Sequence, residues 1–401
     1  MRALVISDTH FGAWTGRDLL REDFFLERLA PQLEGIDELI FLSDLFDFLF
    51  GAVEEAVDAA DGLLRLIAEK MAGGRLVFLA GNHDHHLVHR DEEDRLETAL
   101  ATGHRPTVPP GPGFFREFLE RRLPGIEVEI AYPTYSFAGV LCTHGHYLDP
   151  HARLSGSRAD RLLTRTLWAI AAGGPEKPTC IEDYESIITL LTEWLYVAAQ
   201  MPHGTHAQQN VFRAAQRAGR FASALSLPVR GAKRVAAELR DRGVGVDSGE
   251  LPSEEHFDAV VRGEAARQAR EQPLQGPAWS RPIYPEPTVI SRSDPSEHAL
   301  EAFAQVVRNL DWSSETGAIV FAHTHQPLAD VRCGAGESRY WNTGSWIYEP
   351  DLGSRQAYAR YLRYAWPGTA VLIDEDEPQP RLLEMLADLN PLNDGPGLPS
   401  P

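Results

Sequence analysis

Three runs in the first eighty residues, RALVIS (2–7), ELIFLS (38–43) and RLVFLA (75–80), are almost wholly apolar and rich in Val, Ile, Leu and Phe. Short runs of this texture fit strands buried on both faces, as in a parallel sheet covered by helices. Between the second and third, AVEEAVDAADGLLRLIAEKMAGG (52–74) has apolar residues at helical spacing and closes on a Gly pair, a helix-stop signal. IEVEIAY (126–132), YSFAGVLCTHG (135–145) and GAIVFAHTH (317–325) each predict a further strand, and SEHALEAFAQVVRNL (296–310) predicts a helix leading into the last. Strands alternating with helices define an α/β chain, and in open α/β sheets ligands bind beyond the carboxyl ends of strands.

From about residue 151 the pattern changes. RADRLLTRTLWAIAA (158–172) and DYESIITLLTEWLYVAAQ (183–200) are helical, and Ile187, Leu191, Trp194 and Ala198 fall on one face of the second. That face reads as the core of a cap, with a lipid groove as the alternative. Arg213, Arg217 and Arg220 then recur at i, i+4 and i+7. They form a basic stripe that is either a solvated helix face or a lip for phosphate or an anionic membrane surface. A Pro-rich stretch (271–295) leads back to the strand at 317. The expected organisation is a core of residues 1–150 and 300–386, a mostly helical insertion over 151–299, and a disordered tail over 387–401.

Composition narrows the class. A 401-residue chain with 43% hydrophobic and 24% charged residues is that of a globular protein large enough for one big domain with an insertion. The formal net charge of −20 argues against coating nucleic acid. Cys142, Cys180 and Cys333 are far apart and odd in number, so neither a disulfide framework nor a thiolate metal site is indicated and a reducing cytoplasm fits. The opening MRALVISDTH has too short an apolar run for a signal or a span. Contact with a membrane is expected only as peripheral contact through the insertion.

Five of the six predicted strands end in metal-binding or acid–base side chains. The first ends in Asp8 and His10, the second in Asp44 and Asp47, the third in Asn82, His83 and Asp84, and later ones in His144 with His146 and in His323 with His325. One D-x-H or H-x-H triplet means little, but five in order, each after an apolar run, form a strong signal. Carboxylate, imidazole and amide donors without thiolate suit Mn²⁺, Fe or Zn²⁺. A carboxylate shared by two such ions would hold them roughly 3.5–4 Å apart, the separation found in two-metal hydrolases. His85, His86 and His89 read as a polar loop, Asp84 as a structural acceptor, and Cys142 as a buried thiol. Trp346 and Tyr348 read as packing residues, and His146 as a neighbour of the pocket.

The order D-x-H, GD-x-x-D, GNH[DE], H, GH-x-H resembles the calcineurin-like metallophosphoesterase superfamily, with matching motifs from residue 8 to residue 325. The resemblance implies an αββα architecture, a β-sandwich flanked by helices. It implies that Asp8, His10, Asp44 and His325 hold one metal, that Asp44 bridges to a second, and that Asn82, His144 and His323 complete that second site. It also implies that His83 contacts phosphate and protonates the leaving oxygen, oriented by Asp47, while hydroxide held between the metals attacks. Ser43 and Ala322 stand where the family usually has Gly. ISDTHFG, LSDLFDFLFG and YWNTGSWIYE further resemble the branch containing UDP-2,3-diacylglucosamine diphosphatase. In that branch an Arg follows the Asn, where this chain has His83, and its cap is shorter. The expected reaction is hydrolysis of a phosphoester or phosphoanhydride in a small, lipid-linked or nucleotide-linked substrate, with Mn²⁺ favoured. A nuclease of the same superfamily and a metal-binding scaffold without turnover stay open as alternatives.

Overall fold

A computed structural model describes residues 1–13, 17–85, 87, 114–151, 178–185, 297–314, 316–333, 338–350 and 361–390. Strands β1 (Arg2–Ile6), β2 (Glu38–Phe41) and β3 (Arg75–Leu79) form from the three apolar runs and lie side by side in parallel, with β4 (Glu127–Ala131) parallel to β3. Two further strands, β10 (Thr369–Asp374) and β11 (Arg381–Glu384), complete a six-stranded sheet in the order β11-β10-β1-β2-β3-β4. A second, five-stranded sheet has the order β5-β6-β7-β9-β8, built from β5 (Thr134–Phe137), β6 (Val140–Thr143), β7 (Ala318–Phe321), β8 (Leu328–Arg332) and β9 (Arg339–Asn342).

The single strand expected over 135–145 is thus a hairpin. Ala138 and Gly139 both take positive φ, 48° and 76°, the backbone of a tight two-residue hairpin turn.

The apolar runs have no polar face because side chains alternate between two cores. Ala3, Val5, Ile40, Leu42, Val77 and Leu79 point to the second sheet and meet Val140, Cys142, Val320 and Trp341. The intervening Leu4, Ile6, Leu39, Phe41, Leu76 and Phe78 face the other way. There they are covered by α1 (Asp23–Leu29), α2 (Val53–Lys70) and α3 (Phe114–Arg122). The outer face of the second sheet packs Leu141, Ile319 and Phe321 against Phe303, Val306 and Val307 of α4 (Glu297–Asn309). The four layers are helix, sheet, sheet, helix, the αββα architecture expected. Cys142 is a buried thiol of the inter-sheet core, pushed well up by burial. Trp346 and Tyr348 are buried as packing residues.

The boundaries differ in detail. Residues 387–390, assigned to the tail, belong to the fold: Ala387–Leu389 form a 3₁₀ turn, Asp388 pairs with Arg28 at 2.8 Å, and Asn390 donates to the Leu362 carbonyl at 2.6 Å. Short polar residues there read as tail composition but act as anchors. Helix α4 starts inside the assigned insertion, and so does a segment that packs on the core. In that segment Tyr184 is fully buried and stacks on Tyr147 with centroids 5.0 Å apart. Residues 152–177 and 186–296 of the insertion, with Ile187, Leu191, Trp194, Arg213, Arg217 and Arg220, lie outside the described residues, as do His86, His89 and residues 391–401. No helix among the described residues is long and apolar enough to cross a membrane.

Candidate metal centre

The carboxyl ends of β1, β2, β3, β6 and β7 meet at one edge of the sandwich, and all nine site residues singled out from sequence converge there. The main chain turns sharply at this edge. Asp8, His10, Ser43, Asp44, His323 and His325 all take positive φ, between 41° and 68°. Non-glycine residues adopt this region at a cost of about 1–2 kcal/mol each, and such strain clusters at functional sites. Ser43 takes φ 41°. Its hydroxyl donates to Asp84 Oδ2 at 2.5 Å, a buried bond that offsets part of that strain.

Asp84 is a structural acceptor, as expected. It receives the Gly81 N–H at 2.8 Å and the Leu45 N–H at 2.9 Å, joining the loops after β2 and β3. Burial and the charge of Asp44 push its carboxyl up to about 6.

The ligand atoms fall into two groups that share an edge. In the first, Asp8 uses Oδ2 to accept from Ser7 Oγ at 2.5 Å and from the His323 N–H at 3.2 Å. Its Oδ1 is buried, accepts no hydrogen bond among the described residues, and lies 3.1 Å from His325 Nε2 and 3.8 Å from His10 Nε2. The two imidazole nitrogens are themselves 3.1 Å apart. In the second group Asp44, His144 and His323 come together. Asn82 Oδ1 lies 3.2 Å from His144 Nε2.

Asp44 sits between the groups. Its Oδ1 accepts the His83 N–H at 2.8 Å, and its Oδ2 is 3.3 Å from His144 Nε2 and 3.9 Å from His10 Nε2.

The donor set fits divalent cations on physical grounds. Burial alone would raise the carboxyls of Asp8, Asp44 and Asp47, yet the surrounding imidazoles hold all three well below the usual range, so they stay ionised. Burial alone would likewise lower the imidazoles, but Asp47 and Asp8 bring His10 up to about 10, and Asp44 brings His144 up to about 9. Buried carboxylates this close need positive charge among them. The imidazoles supply it as bound protons, which a divalent cation at the buried Asp8 Oδ1, facing two imidazole nitrogens, would replace.

His83 is placed differently. Its Nδ1 is 2.8 Å from Asp47 Oδ1, and Asp47 Oδ2 lies 3.5 Å from His10 Nδ1, so one carboxylate holds both rings. His83, His10 and Asp44 also come close enough to form a third potential ligand group.

Gly81 is required by this packing, because a Cβ there would fall on Asp44 Oδ1. Gly81→Ala should destabilise the fold by about 1–3 kcal/mol, seen as a lower denaturation midpoint, and should also weaken metal binding. Unchanged stability and metal affinity would show that the loop can yield.

Glu185 and Asp149 at the site lacked a sequence signal, and His85 is placed differently from its reading. His85, expected in a polar loop, is buried. Its Nε2 lies 2.7 Å from Glu185 Oε2, and Glu185 also accepts from the hydroxyls of Tyr132 and Tyr147. Burial would raise Glu185, but His85 chiefly holds its carboxyl down to about 2. These partners supply enough bonds to pull a strand-end His inward and to join residues 178–185 to the loop after β3. His146 lies beside the second group, its ring 5.3 Å from that of His144, and burial lowers its basicity. Asp149 lies 2.9 Å from His323 Nε2.

Residues 1–188 match the family model described as calcineurin-like phosphoesterase. No curated protein matches the chain. Residues 1–188 are thus similar to a calcineurin-like phosphoesterase domain, and Asp and His side chains that could hold metal ions group at the strand ends. The match stops before β7, and the fold brings His323 and His325 to the same edge.

Proposed function

We propose that the protein hydrolyses phosphoester or phosphoanhydride bonds with two divalent cations. Asp8, His10, Asp44 and His325 would hold one, and Asp44, Asn82, His144 and His323 the other. The observation that carries this reading is the position of Asp44 Oδ2 between His10 and His144, which belong to separate groups. Such cations supply an acidified water and neutralise phosphoryl oxygens.

The chain's own side chains do the rest. His83 would serve as an acid rather than as a ligand, its ring oriented by Asp47 at Nδ1 while its N–H pins Asp44. A carboxylate only accepts, so the His83 Nδ1 proton points to Asp47. Nε2 can then carry a proton to the leaving oxygen as general acid. Asp47 orients that ring and His10 together.

Oxygen and nitrogen donors without thiolate favour Mn²⁺, with Fe or Zn²⁺ as the other candidates. The insertion leaves the core beside the second group and returns to it at Glu185. Read as a cap over this edge, it favours a small, lipid-linked or nucleotide-linked substrate over an open duplex groove, and the net charge of −20 points the same way.

The test is metal-stripped protein reloaded with Mn²⁺, Zn²⁺ or Fe²⁺. It would be assayed on an aryl monoester, an aryl diester, a nucleotide-sugar pyrophosphate, and single- and double-stranded DNA. Metal-dependent turnover of a small substrate supports the reading. Cleavage of DNA alone replaces it with a nuclease. Two bound ions and no turnover on any of these substrates would turn it toward a scaffold.

A further inference from the structure

We infer that Asp149 is a positioning residue for the second metal site, acting through His323; this rests on the two-cation reading above. The argument starts from a regularity among the imidazoles. Each ring whose two nitrogens can be traced has one nitrogen against an acceptor outside the metal-facing groups and the other turned into them. His144 places Nδ1 2.5 Å from the Leu42 carbonyl and Nε2 near Asp44 and Asn82. His10 places Nδ1 3.5 Å from Asp47 and Nε2 near Asp8 and His325.

For His323 the acceptor is Asp149, whose Oδ1 lies 2.9 Å from Nε2. A carboxylate can only accept, so Nε2 carries the proton. In the neutral ring the lone pair is then on Nδ1, the nitrogen left for a cation shared with Asp44 and His144. Carboxylates behind a ligating His fix its tautomer and raise its basicity.

The fold explains why Asp149 is there. β6 ends at Thr143, His144 follows directly, and Gly145 at φ 99° turns the chain into the 3₁₀ turn His146–Leu148, which Asp149 closes. The Ala322 N–H donates to the His144 carbonyl at 2.9 Å, fastening the end of β7 to this turn. One turn therefore presents His144 directly and steadies His323 through Asp149. The turn is packed from outside by α4 and Tyr184. Asp149 is also among the last core residues before the chain enters the insertion, so the ligand geometry and the root of the insertion share one side chain.

The experiment is a metal titration of the full chain by calorimetry and elemental analysis, on the wild type and on Asp149→Ala, Asp149→Asn, His323→Ala and the double variant. Visible spectra of the Co²⁺-loaded proteins report coordination independently of turnover. The wild type is expected to bind two ions. Asp149→Ala should bind the first as tightly as wild type and the second about 10–100-fold more weakly, with an altered Co²⁺ spectrum. Asp149→Asn, whose amide oxygen still accepts, should recover part of the loss. Adding Asp149→Ala to His323→Ala should change nothing further, because the two residues act in series.

Equal affinity for both ions in Asp149→Ala, with thermal stability held, overturns this inference and leaves the two-cation reading intact. Additive losses in the double variant would also overturn it. A wild type that binds no second ion would instead overturn the reading on which it rests.

Discussion

Asp44→Asn should abolish the second metal site and reduce turnover to background. Asp44 places one carboxylate oxygen near imidazoles of both ligand groups, and its substitution removes the negative charge between His10 and His144. Breaking a buried ion pair by removing one partner costs about 3–5 kcal/mol. Since about 1.4 kcal/mol is a factor of ten, metal affinity should fall by roughly two to three and a half orders of magnitude. The amide can still accept the His83 N–H through its oxygen, so the loop after β3 should keep its place and the fold should survive. Elemental analysis of the purified variant and a Mn²⁺ titration check this directly. Two ions retained at wild-type affinity would mean that Asp44 does not bridge.

His83→Ala should separate chemistry from metal binding. A positioned general acid contributes about 10²–10⁴-fold, and that is the expected fall in kcat with both ions still bound. The loss should be smallest for substrates whose leaving group needs no proton, such as an activated aryl phosphate, and largest for an alkyl ester. A loss of the same size on both substrates would argue against proton donation. Loss of a metal ion would place His83 in the third ligand group instead, with His10 and Asp44. Asp47→Asn should reproduce part of the kcat effect, since the amide can still orient the His83 ring but carries no charge.

The centre was legible because its chemistry sits on short motifs that directly follow strands. Asp8 and His10, or His323 and His325, need only two or three residues of context, and buried strands announce themselves by their apolar texture. Asp149 and Glu185 stand alone among ordinary residues, and their meaning depends on a 3₁₀ turn and on a packed insertion segment that no spacing encodes. His85 looked like one more residue of a polar loop, because nothing nearby in sequence supplies the partners that bury it. The hairpin at Ala138-Gly139 lacks the usual Asn or Asp before Gly, so its two strands read as one. TAVLID of β10 has the apolar texture of β1, but pairing with β1 across most of the chain leaves no local mark. β8, half exposed, has no clear alternation at all.

The left-handed residues at the strand ends carry a consequence for how this protein tolerates change. Asp8, His10, Asp44, His323 and His325 hold conformations that only glycine adopts freely, and none of them packs a hydrophobic core. Taken as a folding unit, the chain would be better served by glycine at several of these positions. If the two-cation reading holds, their side chains are kept for what they bind, and this edge is where stability and activity pull in opposite directions. Selection for thermostability alone, with metal withheld, would be expected to erode this edge first and leave the sandwich behind it untouched.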